Sequence, residues 1–198
     1  ITLTGKEKRP LDATTYGVGE MILDAVDRGC RKFLIGIGGS ATNDCGIGML
    51  TALGYEFLDN EGKPVGICAK DLKNVAQIRK DQVRSELTEC SFRVACDVTN
   101  PLCGLNGATY IYGPQKGVTD DMREGLDRDL QHFADVTEMC FGADCASLAG
   151  SGAAGGLGYA FLAYLEADLC PGIDLVMDAV KMDKAMRDAD LVFTGEGR

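Results

Sequence analysis

The sequence predicts an α/β fold: a mostly parallel sheet flanked by helices. Short apolar runs such as "KFLIGI" (32–37) and "FRVACDV" (92–98) alternate with segments of helical period. Glycine-rich loops follow strand-like or precede helix-like segments, as at "GIGGSATNDCG" (36–46) and "AGSGAAGGLG" (149–158). There is no repeat and no low-complexity stretch. The 198 residues suit one α/β domain.

In chain order, Val18, Met21, Ile22 and Ala25 recur at helical spacing in 16–28, with Thr14 or Thr15 as a cap and Gly29 as a stop. A strand at 32–37 runs into the first glycine loop, and a helix is expected from Asp44 to Leu53. "GYEFLD" (54–59) reads as a strand and "NEG" (60–62) as a turn. Residues 63–91 are ambiguous between strand and loop. "FRVACDV" is a strand ending in "TNPLCGLNG", and "ATYIYG" (108–113) reads as a short strand. Met122, Leu126, Leu130, Phe133 and Val136 line one face of a long helix over 119–141, whose first turn carries Asp120 and Asp121. "YAFLAYLEA" and residues 175–186 read as helices, and "ADLVFTGEG" (189–197) as a last strand.

Composition narrows the function. The net charge is −10, with no basic cluster, so no nucleic-acid partner is expected. No apolar run approaches the ~18 residues of a membrane span, and no signal peptide is recognised, so a cytoplasmic protein is expected. Nine cysteines at scattered positions, with no C-x-x-C pair, read as reduced thiols acting as small hydrophobes. The single His132 falls off the apolar face of its helix and is expected to be exposed, which argues against Ser-His-Asp or Cys-His chemistry.

Ligands of open parallel sheets bind beyond the carboxyl ends of strands. Three segments end there with glycine and a carboxylate: Gly38-Gly39-Ser40-Ala41-Thr42-Asn43-Asp44, Asp97-Val98-Thr99-Asn100, and Gly195-Glu196-Gly197-Arg198. One such loop is explained by turn chemistry; three favour a shared binding edge. Gly36 to Ala41 also fits the G-x-G-x-x-A dinucleotide fingerprint, with Asp59 about where the ribose acid belongs, so a nicotinamide-dependent oxidoreductase is an alternative. A non-catalytic lobe, its glycines merely packing helices, is another. No P-loop motif is present.

The parts suit phosphoryl transfer without a P-loop. Gly38, Gly39, Gly152, Gly155 and Gly156 are candidate phosphate-binding glycines, though close helix packing explains the last three equally well. Lys116 in "YGPQKG" is the candidate cation, or else a solvated turn lysine. Asp44, Asp97 and Glu196 are candidate metal or base carboxylates.

"IGIGGSATNDCGIGMLTALG", "ACDVTNPLCGLNGATYIYGPQKG", "GSGAAGGLGYAFLAYLEADLCPGIDLVMD" and "ADLVFTGEGR", in this order, resemble the glycerate kinase family over about Thr14 to Arg198. The resemblance implies transfer of phosphate from ATP, with Mg²⁺, to a hydroxyl of D-glycerate. It implies a two-lobed α/β enzyme of which this is the central portion, with little or no kinase activity in the chain alone. Small-molecule partners, glycerate and nucleotide, follow; no oligomeric state does. By the same resemblance, Ser40, Asn43, Asn100 and Arg198 are substrate-binding candidates, Asp44, Asp97 and Glu196 catalytic ones, and Asp97 and Glu196 metal ligands. Cys45 stands where the family usually has glycine, a tolerable change unless the position needs positive φ.

Overall fold

A computed structural model describes residues 7–195. Helix α1 (Tyr16–Asp27) leads to strand β1 (Lys32–Gly36), helix α2 (Ile47–Ala52) and strand β2 (Glu56–Leu58). The ambiguous stretch resolves into 3₁₀ turns at Ala69–Asn74 and Ser85–Glu89 around strand β3 (Gln77–Arg79). Strand β4 (Ser91–Ala95), helices α3 (Ala108–Lys116), α4 (Asp120–Phe141) and α5 (Ala153–Leu165), strand β5 (Asp168–Cys170) and helices α6 (Gly172–Val180) and α7 (Met182–Met186) complete it.

The sheet that positions the site is parallel, in the order β1-β4-β5, with Ile35 opposite Val94 and Val94 opposite Leu169. β2 and β3 form a separate antiparallel pair. On the inner face Phe33 stacks on Phe92 at 4.8 Å, and Phe92 and Val94 are buried in one core with Tyr159 and Phe161 of α5. α4 presents Leu126, Leu130, Phe133 and Val136 to the protein interior, the face its period predicts. Burying such a side chain contributes about 1.5–3 kcal/mol.

Several expectations are corrected. "ATYIYG" is helical, not a strand: it opens α3, which buries Ala108, Thr109 and Gly113. This tertiary packing overrides the strand preference of Thr-Tyr-Ile-Tyr. The helix expected from Asp44 begins at Ile47, because Cys45 (φ 52°) and Gly46 (φ 75°) are left-handed. The helix expected over 175–186 starts at Gly172 and is broken at Lys181, also left-handed. Residues 191–195 form no strand; Leu191, Val192 and Phe193 are exposed, with Phe193 at 90%. An isolated apolar run gains nothing as a strand without a neighbour to complete its ladder. Thr15 precedes α1 without capping it, its hydroxyl being engaged elsewhere. His132 is half-buried, and its Nε2–H donates to the Val75 carbonyl at 2.7 Å.

Cys45 therefore occupies the one kind of backbone site that disfavours a side chain, and it is fully buried. Cys45→Val adds a β-branch at positive φ and bulk in a closed core. It is expected to cost about 3 kcal/mol, seen as a lowered urea midpoint with unchanged slope.

Candidate functional site

A cavity of about 370 Å³ opens at the carboxyl edge of β1 and β4. Gly36 to Ser40 line it after β1, Cys96 to Val98 after β4, and Ala153 and Ala154 at the start of α5. α3 contributes Tyr112, Gln115 and Lys116, which share one helical face by their spacing. Two of the three expected segments thus meet. The third is partly outside the described residues: Glu196 and Arg198 both lie there.

Lys116 organises the site. Only 3% of the residue is exposed. Its Nζ donates to Ser40 Oγ at 2.9 Å and to the Thr42 carbonyl at 2.7 Å. An ammonium has three donors, so one remains for a ligand in the cavity that Lys116 lines. Burial pushes its pKa down to about 8, with the charge of Asp44 opposing the shift.

Asp44 lies beneath this arrangement, fully buried and off the cavity wall. Its Oδ2 accepts from Thr15 N–H and Thr15 Oγ1, both at 2.8 Å, and Thr15 Oγ1 accepts in turn from Met49 N–H. Burial raises the Asp44 pKa, while these hydrogen bonds pull it back. The residue read as a catalytic carboxylate thus ties the start of α1 to the loop before α2. Asn43 is likewise fully buried; its Nδ2 donates to Thr109 Oγ1 of α3 at 3.0 Å, and its Oδ1 has no protein partner. It anchors the loop rather than lining the cavity.

Ser40, Gly38 and Gly39 line the cavity as expected positions, and Ser40 does so while holding Lys116. Asp97 lines it too; its Oδ1 accepts the backbone N–H of Gly172 at the start of α6, at 2.8 Å. Asn100 spends its amide internally: Nδ2 donates to the Asn106 carbonyl at 2.7 Å and Oδ1 accepts from Tyr112 Oη at 2.5 Å. Gly152, Gly155 and Gly156 do not line the cavity. They allow close packing: a Cβ would fall 2.2 Å from the Pro101 carbonyl oxygen at Gly152, 2.1 Å from that of Thr42 at Gly155, and 2.9 Å from Cys45 Cα at Gly156. Tyr112 escaped the sequence reading because its segment was taken for a strand; as a helix, 112, 115 and 116 form an evident face.

Asp59 contributes nothing here. Its Oδ1 accepts from Glu61 and Lys63 N–H groups in the turn after β2. No cluster of three metal-ligating His, Cys, Asp or Glu side chains occurs among the described residues. Nor is any helix among them long and apolar enough to cross a membrane.

The model of the glycerate kinase family matches residues 1–198. The chain belongs to the glycerate kinase family. It is 50% identical to the glycerate kinase of Bacillus subtilis (strain 168) over 192 residues, 97% of this chain and 50% of that protein. It is 45% identical to the glycerate 2-kinase of Escherichia coli (strain K12), covering all of this chain and 52% of the relative. A crystal structure of putative glycerate kinase 2 from Salmonella typhimurium LT2 superposes with a TM-score of 0.94 at 44% identity, over 98% of this chain and 52% of that one. The chain spans about half the length of these relatives. Membership in the glycerate kinase family removes support from the nicotinamide alternative, as do the placement of Asp59 and the late start of α2.

Proposed function

We propose that the cavity at the carboxyl edge of β1 and β4 takes part in ATP-dependent phosphorylation of D-glycerate. The observation that carries this is Lys116: a buried ammonium, two donors fixed, lining a cavity beside the Gly38-Gly39 backbone. Such a cation suits anionic oxygens and the charge that develops on a transferring phosphoryl group. In the reaction a glycerate hydroxyl oxygen bonds to the γ-phosphorus, the bond from that phosphorus to the ADP oxygen breaks, and the hydroxyl proton is released. Ser40 and the Thr42 carbonyl hold Lys116 in place, so its position needs little reorganisation during transfer.

Asp97 fits a role toward Mg²⁺. Its Oδ1 is committed to Gly172 N–H, and Oδ2 has no such commitment. Mg²⁺ usually takes only one or two carboxylates beside phosphate oxygens and water. When bound, the ion would neutralise phosphate charge. Glu196 remains the proposed second carboxylate, and Arg198 a proposed substrate contact. The nine free cysteines support the accompanying proposal of a reducing, cytoplasmic setting.

The test is phosphate transfer from ATP to D-glycerate in the presence of Mg²⁺, by a full-length enzyme that contains this chain. The name of the Escherichia coli relative directs the first product assay to the 2-phosphate. Asp97→Asn keeps an acceptor for Gly172 N–H but removes the charge. It is expected to lower kcat about tenfold or more. Wild-type kinetics in that variant would discard the assignment.

A further inference from the structure

We propose that Tyr112 Oη is a hydrogen-bond acceptor that reads a hydroxyl of the bound hydroxy acid, a role imposed on it by Asn100. The inference deepens the glycerate reading and rests on it. It follows from one chain of hydrogen bonds. The Asn106 carbonyl can only accept, so the Asn100 group 2.7 Å from it is the amide nitrogen. That fixes the orientation of the side chain, and Asn100 Oδ1 must then face Tyr112. Oδ1 in turn can only accept, so the 2.5 Å bond consumes the single proton of Tyr112 Oη. Burial, followed by the charge of Cys96, raises the Tyr112 pKa, which keeps that proton in place.

Tyr112 lines the cavity with its only donor spent. What the oxygen retains is lone-pair capacity. A carboxylate or phosphate oxygen gains nothing there, whereas an alcohol hydroxyl donates to it. Lys116, on the same face of α3, supplies the opposite preference, with a donor for anionic oxygen. The two side chains thus sort a hydroxy acid by chemistry: anionic oxygens toward Lys116, a hydroxyl toward Tyr112. Sites built to pair a hydroxyl discriminate against analogues that lack it. Asn100 is a positioning residue; Tyr112 sets specificity.

The experiment compares the binding and kinetics of D-glycerate, D-lactate (no 3-hydroxyl) and 3-hydroxypropionate (no 2-hydroxyl) in a full-length enzyme that contains this chain and in its Tyr112→Phe variant. The wild type is expected to prefer D-glycerate over at least one analogue. Tyr112→Phe should weaken D-glycerate about tenfold, the scale of one lost hydrogen bond. It should leave the affinity for that analogue and for ATP within about twofold, so the preference collapses. The analogue whose disadvantage disappears identifies the hydroxyl that is read. Asn100→Ala, checked for fold by its melting curve, frees the Tyr112 proton and should relax the same preference with Tyr112 intact. A Tyr112→Phe protein that keeps the wild-type preference, or that loses D-glycerate and both analogues equally, overturns the assignment while leaving the kinase reading standing. A wild type that binds neither D-glycerate nor ATP overturns both.

Discussion

In a full-length enzyme that contains this chain, Lys116→Met is expected to abolish most of the proposed phosphoryl transfer while leaving the fold in place. The substitution keeps the length and apolar stem of the side chain and deletes the ammonium facing the cavity. Removing a preorganised charge donor from such a site typically costs on the order of 10²–10³ in kcat. Stability should respond in the opposite sense. Burial lowers the Lys116 pKa from 10.5 to about 8, so the folded state holds this proton less tightly than the unfolded chain. The resulting penalty is fully present below about pH 8 and is relieved as pH rises from about 8 toward 10.5. Its size, from the shift, is about 3 kcal/mol. Two measurements check this. Wild-type kcat should fall as pH rises through about 8, with the loss of the proton, and the residual activity of Lys116→Met should lack that limb. The stability of the wild type relative to Lys116→Met should rise over the same interval. A wild-type pH profile flat through pH 9, with kcat in Lys116→Met unchanged, would remove Lys116 from the chemistry.

The sequence made the site's address legible and half of its occupants. β1 and β4 stand out because their apolar runs are short and bounded, and the polar loops after them converge because the strands are parallel neighbours. Ser40, Gly38, Gly39 and Asp97 could be named for that reason, and Lys116 as the one cation of "YGPQKG". What stayed hidden depended on packing at long range. Thr109-Tyr110-Ile111-Tyr112 has strand propensity, and Gly113-Pro114 looks like a break, yet contacts with α4 and α5 make it helical. That one error concealed the Tyr112, Gln115, Lys116 face. Asp44 looks like a turn carboxylate until Thr15, twenty-nine residues away, is seen to satisfy it. The glycines of "GSGAAGGLG" resemble a phosphate cradle because bare backbone serves two purposes, approach to a ligand and approach to another segment. Spacing does not distinguish them. β5 has three residues, too few for any period to register.

Gly155→Ala is expected to be the most destabilising single methyl group in this region, and to disturb the site as well. Gly155 is left-handed (φ 73°), between Ala154 and Gly156 in the same conformation, so α5 becomes regular only after this turn. Its carbonyl accepts the Cys45 N–H at 3.0 Å, binding the turn to the loop before α2. A Cβ there would sit 2.1 Å from the Thr42 carbonyl oxygen and 2.8 Å from Asn43 Cα, both backbone atoms that cannot swing aside as a side chain would. Left-handed strain and steric overlap add, for a loss of about 3 kcal/mol or more. For a chain of this size that is roughly 10 °C in Tm. The atom displaced is the same carbonyl that holds Lys116 Nζ at 2.7 Å, so transfer activity measured well below the new Tm should fall too. Gly39→Ala provides the comparison. Gly39 is equally left-handed (φ 72°), but a Cβ there meets no atom within 4 Å. It should show only the conformational cost, about 1–2 kcal/mol. If the two variants melted together, the crowding of Gly155 against Thr42 would carry no energy. The coupling between that turn and the lysine would then have no basis.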